Sequence, residues 1–317
     1  MQGTDFRERD CMSYDGFMAC IRLDIQRKLG NRFQVEAKEV TKNNSSKLKG
    51  LIIMEEGLNI HPTVYMEYFY EQYKAGMTLE EIEDDVLQTY MKNRREEKFD
   101  TGLFMDWKQM RKGITYKLIN FERNMELLRD VPYQKFLDLA IVFECILDMG
   151  DAGGATILIR NTHMKLWGIT ADELYSAAFA NTPELLGCRL TSMLEVMLEI
   201  IGSGKVKPSN IEDIPNMAEL EKNQSSMYVL SNRKNFHGAG AILYKNLLKE
   251  IAEKWGCDIC ILPSSVHEVI LVPMSEAGSY AEMSQMVREV NRTQVSPEEV
   301  LSDHVYKYIR EIGKITM

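Results

Sequence analysis

The sequence predicts an α+β fold, with mixed or antiparallel sheets built from hairpins and flanked by capped helices. Three observations carry this. Short runs alternate with a period of two, as Phe33, Val35 and Ala37 do against Gln34, Glu36 and Lys38, which is the pattern of a half-buried strand. Between them lie runs such as Phe17, Ile21, Ile25 and Leu29, whose spacing gives a helix one apolar face. Helix-opening signals stand where they are needed. Thr78 with Glu81, Thr170 with Glu173 and Ser192 with Glu195 have capping-box spacing, in which hydroxyl and carboxylate satisfy otherwise orphan backbone amides.

In chain order, Ser13 caps a first helix running to Leu29, with Gly30 as its stop. Phe33 onward is a strand, Asn43-Asn44-Ser45-Ser46 a turn, and Leu48 to Glu55 the returning strand. Pro62 opens a Tyr- and Phe-rich helix that ends near Gly76, and Thr78 begins another. Leu79, Ile82, Val86 and Tyr90 line its buried face, and the acidic run Glu80, Glu81, Glu83, Asp84 and Asp85 falls on its solvated face.

Ile114 to Phe121 and Phe136 to Leu147 read as strands. They are followed by a Gly-rich turn over 148–154 and a strand from Ala155 to Arg160. A short helix to Trp167-Gly168 and two capped helices follow, the second reaching Ile201. Met227 to Leu230 and Ala239 to Tyr244 read as strands, and Leu247, Leu248, Ile251 and Trp255 as a helix stopped by Gly256. Asp258 to Leu262 and Glu268 to Val272 form a hairpin across Pro263-Ser264-Ser265-Val266-His267. Tyr280 to Val290 is amphipathic, Ser296-Pro297-Glu298-Glu299 has the residues of a helix start, and two short strands close the chain, Val305 to Ile309 and Lys314 to Thr316. The runs Gly154-Ala155-Thr156-Ile157-Leu158 and Gly240-Ala241-Ile242-Leu243 each lead to a Trp-Gly, which suggests a repeated strand-helix unit. Three modules are expected: residues 1–97, 103–202 and 226–317, with a polar linker over 203–225 that contains Pro208 and Pro215.

At 317 residues, 45% hydrophobic and 27% charged, the chain has ample material for a packed core. Its net charge of -9 argues against nucleic acid as a partner, since phosphate-backbone binding needs clustered Lys and Arg. Phe136 to Leu147 is the strongest apolar stretch. It is too short to span a bilayer and carries Asp138 and Glu144, so no membrane partner is expected. The first ten residues have no signal-peptide apolar core, which points to a cytoplasmic protein with reduced, scattered cysteines.

Several segments together resemble a known family. They are Tyr228-Val229-Leu230-Ser231-Asn232 with Gly238-Ala239 and Ile242-Leu243-Tyr244, the hairpin Ile261 to Val269, and Val287 to Asn291 through Val300-Leu301-Ser302-Asp303-His304-Val305-Tyr306. Val40 to Asn44 and Phe136 to Val142 add to them. The chain resembles, nearly end to end, the bacterial domain-of-unknown-function family 5688, seen mostly in anaerobic Gram-positive bacteria. From Tyr228 to Val272 it is also distantly similar to the uncharacterised bacterial family 1444. The resemblance implies a bacterial, cytoplasmic protein of mixed α+β fold and brings no activity or catalytic residues.

Few residues offer chemistry. Cys257 and Cys260 have redox or zinc spacing, but they sit where a helix ends and a strand begins, and no second ligand pair exists. No metal site and no cofactor are expected. The catalytic candidates are Ser264 or Ser265 as nucleophile, His267 or His237 as base and Glu268 as the orienting group. A turn stiffened by Pro263, its hydroxyls bonded to backbone amides, accounts for the same residues more simply. His163, at a strand-to-helix junction, is a candidate anion contact or a simple cap. Tyr65, Tyr68 and Tyr70, with Phe69 and Tyr73, exceed what one buried stripe uses, which makes them candidate contacts for a protein partner. The leading expectation is a protein- or ligand-binding module without catalysis; the alternative is a hydrolase-like enzyme using the Ser and His residues of the C-terminal module.

Overall fold

A computed structural model describes residues 12–94, 98, 101–147, 155–202, 227–263 and 265–317. The chain forms two compact units. The first lies within residues 1–103 and leaves out 43–45; the second takes in 43–45, 104–147 and 155–317. The expected linker over 203–225 and the turn over 148–154 lie outside the described residues.

The first unit contains α1 (Tyr14–Leu29), β1 (Phe33–Thr41), β2 (Lys47–Glu55), β3 (Thr63–Tyr65), α2 (Glu67–Lys74) and α3 (Leu79–Asn93). The strands form one antiparallel sheet in the order β1-β2-β3. Gln26 fixes the turn from helix to sheet: its Nε2 donates to the Phe33 carbonyl at 2.8 Å and its Oε1 accepts from the Val35 amide at 2.9 Å. The periodic Phe17, Ile21 and Ile25 then pack against Leu51 and Ile53 of the sheet and Ile82, Val86 and Tyr90 of α3. Two expectations are corrected. Pro62 does not open a helix: Thr63–Tyr65 pairs with β2, and α2 begins only at Glu67, whose carboxylate accepts the Lys49 amide at 2.6 Å. The acidic face of α3 is not all solvated, because Glu83 is 7% exposed and pairs with Lys28 at 3.0 Å.

In chain order the rest is α4 (Thr101–Met105), α5 (Trp107–Met110), β4 (Ile114–Asn120), β5 (Tyr133–Phe136), β6 (Leu139–Leu147), β7 (Ala155–Leu158), α6 (Asn161–Trp167), α7 (Ala171–Leu186), β8 (Arg189–Ser192) and α8 (Met193–Gly202). Then come β9 (Tyr228–Ser231), α9 (Leu247–Trp255), β10 (Ile259–Leu262), β11 (Val269–Pro273), α10 (Tyr280–Thr293), β12 (Tyr306–Ile309) and β13 (Lys314–Thr316). In the second unit β6 is the spine of one antiparallel sheet: β4 runs along one side, and β5 and β7 share the other. A second antiparallel sheet has the order β13-β12-β10-β11-β9-β8. Both the middle and the C-terminal segments of the sequence feed one core cluster. It joins Tyr116, Ile141, Phe143, Ala178, Ile251, Ile261, Leu271 and Tyr306.

The β10–β11 hairpin lies at the centre of the larger sheet, with Leu262 opposite Ile270 and Ile259 opposite Pro273. Alternation sends Ile259, Ile261, Val269 and Leu271 into the main core and Cys260, Leu262 and Val272 to the other face, against Met283 and Val287 of α10. Burial on both faces is why these strands read as nearly unbroken apolar runs.

The strand expected from Ala239 to Tyr244 is replaced by a 3-10 helix over Gly238–Leu243. The reason is space. A Cβ on Gly238 would lie 2.1 Å from Ser231 Oγ and 2.5 Å from the His267 carbonyl oxygen, and one on Gly240 would lie 3.1 Å from the Tyr116 ring. Gly and Ala let a tight coil press into this gap, and the two segments of the suggested repeat therefore differ in structure. Ser296 to Glu299 makes a single turn instead of a helix, because Val300 leaves it to bridge Ser265. Among the described residues no helix is long and apolar enough to cross a membrane.

Ile261→Ala is expected to cost the second unit about 2–5 kcal/mol, as for other large-to-small changes in a closed core. Tyr68→Ala in the first unit, where the ring is 65% exposed, is expected to stay within about 0.5 kcal/mol of wild type. Urea unfolding of both variants checks this, and equal costs would contradict the assigned core.

Candidate functional site

The site starts from a carboxylate in the wrong company. β6 reads Leu-Ala-Ile-Val-Phe-Glu-Cys-Ile-Leu, and Glu144 within it is 1% exposed. An ionised carboxylate so placed needs partners. Lys117, on the neighbouring β4, brings its Nζ to 3.1 Å from Oε2, and His237 brings Nδ1 to 2.9 Å from Oε1. Burial alone would push the Glu144 carboxyl up. The Lys117 ammonium and the His237 ring outweigh burial and hold the carboxyl down to about 2. Burial pushes His237 below the usual imidazole range despite the pull of Glu144. A neutral His237 therefore donates Nδ1–H to a charged Glu144.

Local chemistry delivers His237 to that position. Asn232 Oδ1 accepts the amides of Lys234 (2.9 Å) and Phe236 (3.3 Å), and its Nδ2 donates to the Phe236 carbonyl at 2.7 Å. The loop closes on itself and leaves His237 with φ of 52°, in the left-handed region that glycine ordinarily occupies. Gly238, next in the chain, is the residue that presses against Ser231 and His267.

The His237 amide donates to His267 Nδ1 at 3.2 Å, and the two rings lie nearly parallel, 6° apart, with centroids 5.6 Å from each other. His267 Nε2 lies 3.4 Å from Glu299 Oε1. Ser265 Oγ accepts the His267 amide at 3.0 Å, and Ser231 Oγ donates to the His267 carbonyl at 2.7 Å. The hairpin tip is thus tied from three directions.

Beside this knot, on the α10 side of the larger sheet, lies a cavity of about 370 Å³. Its floor is one sheet face near the β8 edge: Arg189 opposite Ser231, Thr191 opposite Val229, and Val229 opposite Ile270, with Glu268 and Asn235 at one end. Met193, Val196 and Glu199, three residues apart on α8, cover it. Arg189 grips Glu199 with its Nη2 at 2.5 and 2.6 Å from the two carboxylate oxygens, and its Nε donates to Thr191 Oγ1 at 3.0 Å. Burial holds the Glu268 carboxyl above its ordinary range.

The sequence candidates separate on this geometry. His237, His267, Ser265 and Glu268 come together; Ser264 lies outside the described residues. Ser265 is bonded to the His267 amide and to Glu268, not to an imidazole nitrogen. His163 closes its own helix, its Nδ1 accepting the Arg160 amide at 3.1 Å with its ring against Phe104 and Trp167. In the first unit Tyr70 packs on Tyr14 and Phe17 and donates to the Met12 carbonyl, and Tyr65 lies beneath the Lys42 ammonium. Tyr68 alone of the three is exposed. Cys260 is buried, which pushes its thiol up to about 11.

Sequence reasoning missed Glu144 and Lys117, and also a second polar centre at Asp138. There Asp138 Oδ1 accepts from the Tyr306 hydroxyl, and Oδ2 accepts from Ser302 Oγ at 2.6 Å and lies 3.1 Å from His304 Nδ1. The signal was present in both cases as a carboxylate inside or beside an apolar strand. Its partners, up to 168 positions away along the chain, were not readable.

The model of a family of unknown function, DUF5688, matches residues 14–310. No curated protein and no solved structure matches the chain.

The Glu144 arrangement sets an acid limit. Its pKa falls from 4.5 to about 2 on folding, so its contribution is complete above about pH 4.5 and is lost as pH falls toward about 2. Denaturant melts of wild type are expected to show stability dropping across that window. Glu144→Gln, which keeps the shape without the charge, is expected to flatten the drop; an unchanged slope would contradict the assignment.

Proposed function

Because the chain belongs to DUF5688, a family of unknown function, we propose a function from the site itself: the second unit is a binding module for a small molecule, without catalysis of its own. The observation that carries this is the cavity between β8, β9, β11 and α8. Its size and its apolar walls of Val229, Ile270, Met193 and Val196, with a few convergent polar groups, are those of a ligand pocket. The polar groups are positioned in advance, Arg189 by Glu199 and Thr191, and Ser231 by the His267 carbonyl. Preorganisation of this kind lowers the cost of binding.

The setting proposed with this reading is the bacterial cytoplasm, supported by buried, unpaired thiols at Cys145 and Cys260. A protein partner on the first unit has the exposed Tyr68 in its favour. The net charge of -9 speaks against nucleic acid.

A hydrolase-like reading has one observation in its favour, the Glu144–His237 pair at 2.9 Å, which orients an imidazole as general bases are oriented. Against it, neither imidazole is hydrogen-bonded to Ser265 among the described residues.

A thermal-shift screen of metabolite-sized compounds is expected to give ligands that stabilise wild type but not Val229→Phe, in which the added ring fills the cavity. The same protein is expected to resist labelling by a fluorophosphonate. Ligands that bind Val229→Phe equally well, or none at all, would end the cavity reading. Labelling lost in His237→Ala would favour the hydrolase.

A further inference from the structure

The cavity's charge balance narrows the ligand. Arg189 and Glu199 line it as a closed pair, at 2.5 and 2.6 Å, and cancel each other. Among the described residues, Glu268 is the remaining charged group in the wall. It is half-buried, and its bonded neighbour is the Ser265 hydroxyl, not a cation. The group placed to neutralise it by proximity is His267, the residue before it. That ring's nitrogens are directed elsewhere: its Nδ1 accepts the His237 amide and its Nε2 lies 3.4 Å from Glu299. His237 is committed to Glu144 in the same way. The knot therefore directs its imidazole nitrogens elsewhere, and among the described residues the Glu268 carboxyl faces the cavity with no ion pair.

A half-buried carboxyl without an ion pair favours a ligand that brings a positive charge. The walls beside it are apolar on both sides, Val229 and Ile270 from the sheet and Met193 and Val196 from α8. Ser231 and Asn235 stand near Glu268 in the same wall, with oxygen atoms suited to the remaining hydrogens of an ammonium group.

We propose that this cavity takes a small organic cation, a primary amine on a compact apolar body, with its ammonium group on Glu268 and its body between the sheet and α8. This rests on the ligand-binding reading above and adds the ligand's charge. The amine enters protonated and meets an ionised Glu268, so binding strengthens as pH rises through the carboxyl's titration, which burial has moved upward.

The test uses three probes of one size and different charge on the full chain: phenethylamine, phenethyl alcohol and 3-phenylpropionate, titrated calorimetrically at pH 5 and pH 8. The expected result is measurable binding of phenethylamine alone, tighter at pH 8. It is expected to weaken at least tenfold in Glu268→Gln, whose melting temperature serves as the folding control, and to be lost in Val229→Phe. Binding of the alcohol as tightly as the amine, or of the carboxylate, would overturn the charge assignment while leaving the cavity a ligand site. Amine binding that survives Glu268→Gln would overturn it as well. Failure of all three probes would overturn the amine class, and the compound screen on Val229→Phe then decides separately whether the cavity binds anything.

Discussion

The buried carboxylate of Glu144 is the constraint on which the second unit's polar architecture depends. A charge inside a sheet is tolerated only when its attraction to partners repays several kcal/mol of desolvation. Here the repayment comes from the adjacent strand through Lys117 and from a residue 93 positions away through His237. Meeting the second demand dictates much else. The loop over 232–236 curls around Asn232, His237 takes a left-handed backbone, and Gly238 lets the chain pass within contact of Ser231 and His267. The hairpin tip is then held by the His237 amide, by Ser231 and by its own Ser265. Two of the groups so fixed, Ser231 and Glu268, form part of the cavity wall.

The two faces of the β10–β11 hairpin do different work around this knot. One closes the main core, and the other packs on α10 and continues across β11 and β9 into the floor of the cavity. The cavity sits at the β8 edge of the sheet, where side chains are only half-buried and α8 covers them through a few residues. Edges of this sort open locally at less cost than the centre of a sheet, which suits the proposed ligand site. The centre at Asp138 works elsewhere in the same unit. It gathers Ser302, His304 and Tyr306, and so fastens the segment before β12 to the β5–β6 turn, where Leu137 has a φ of 55°.

The α+β class, the helices opened by Thr78, Thr170 and Ser192, and the C-terminal hairpin were legible because each rests on local spacing. Where the sequence misled, a distant contact overrode a local preference. Residues 238–243 have strand-like composition, and the closeness of Ser231, His267 and Tyr116 coils them instead. The Pro62 segment has helical composition at its far end, and pairing with β2 keeps its beginning extended. The site was half legible. His237, His267, Ser265 and Glu268 were singled out, and they do converge. The group that organises them, Glu144, was visible only as an anomaly, a carboxylate in an apolar run whose partners no spacing rule identifies.

The most direct measurement of Glu144's organising role is a double-mutant cycle between Glu144→Ala and His237→Ala, read by equilibrium denaturation. Residues that share one buried network couple by about 0.5–3 kcal/mol, and the upper part of that range is expected here because each partner alone leaves the other buried and unsatisfied. Additive effects of the two substitutions would contradict the account, since they would mean that the Glu144 carboxylate and the His237 loop are stabilised independently.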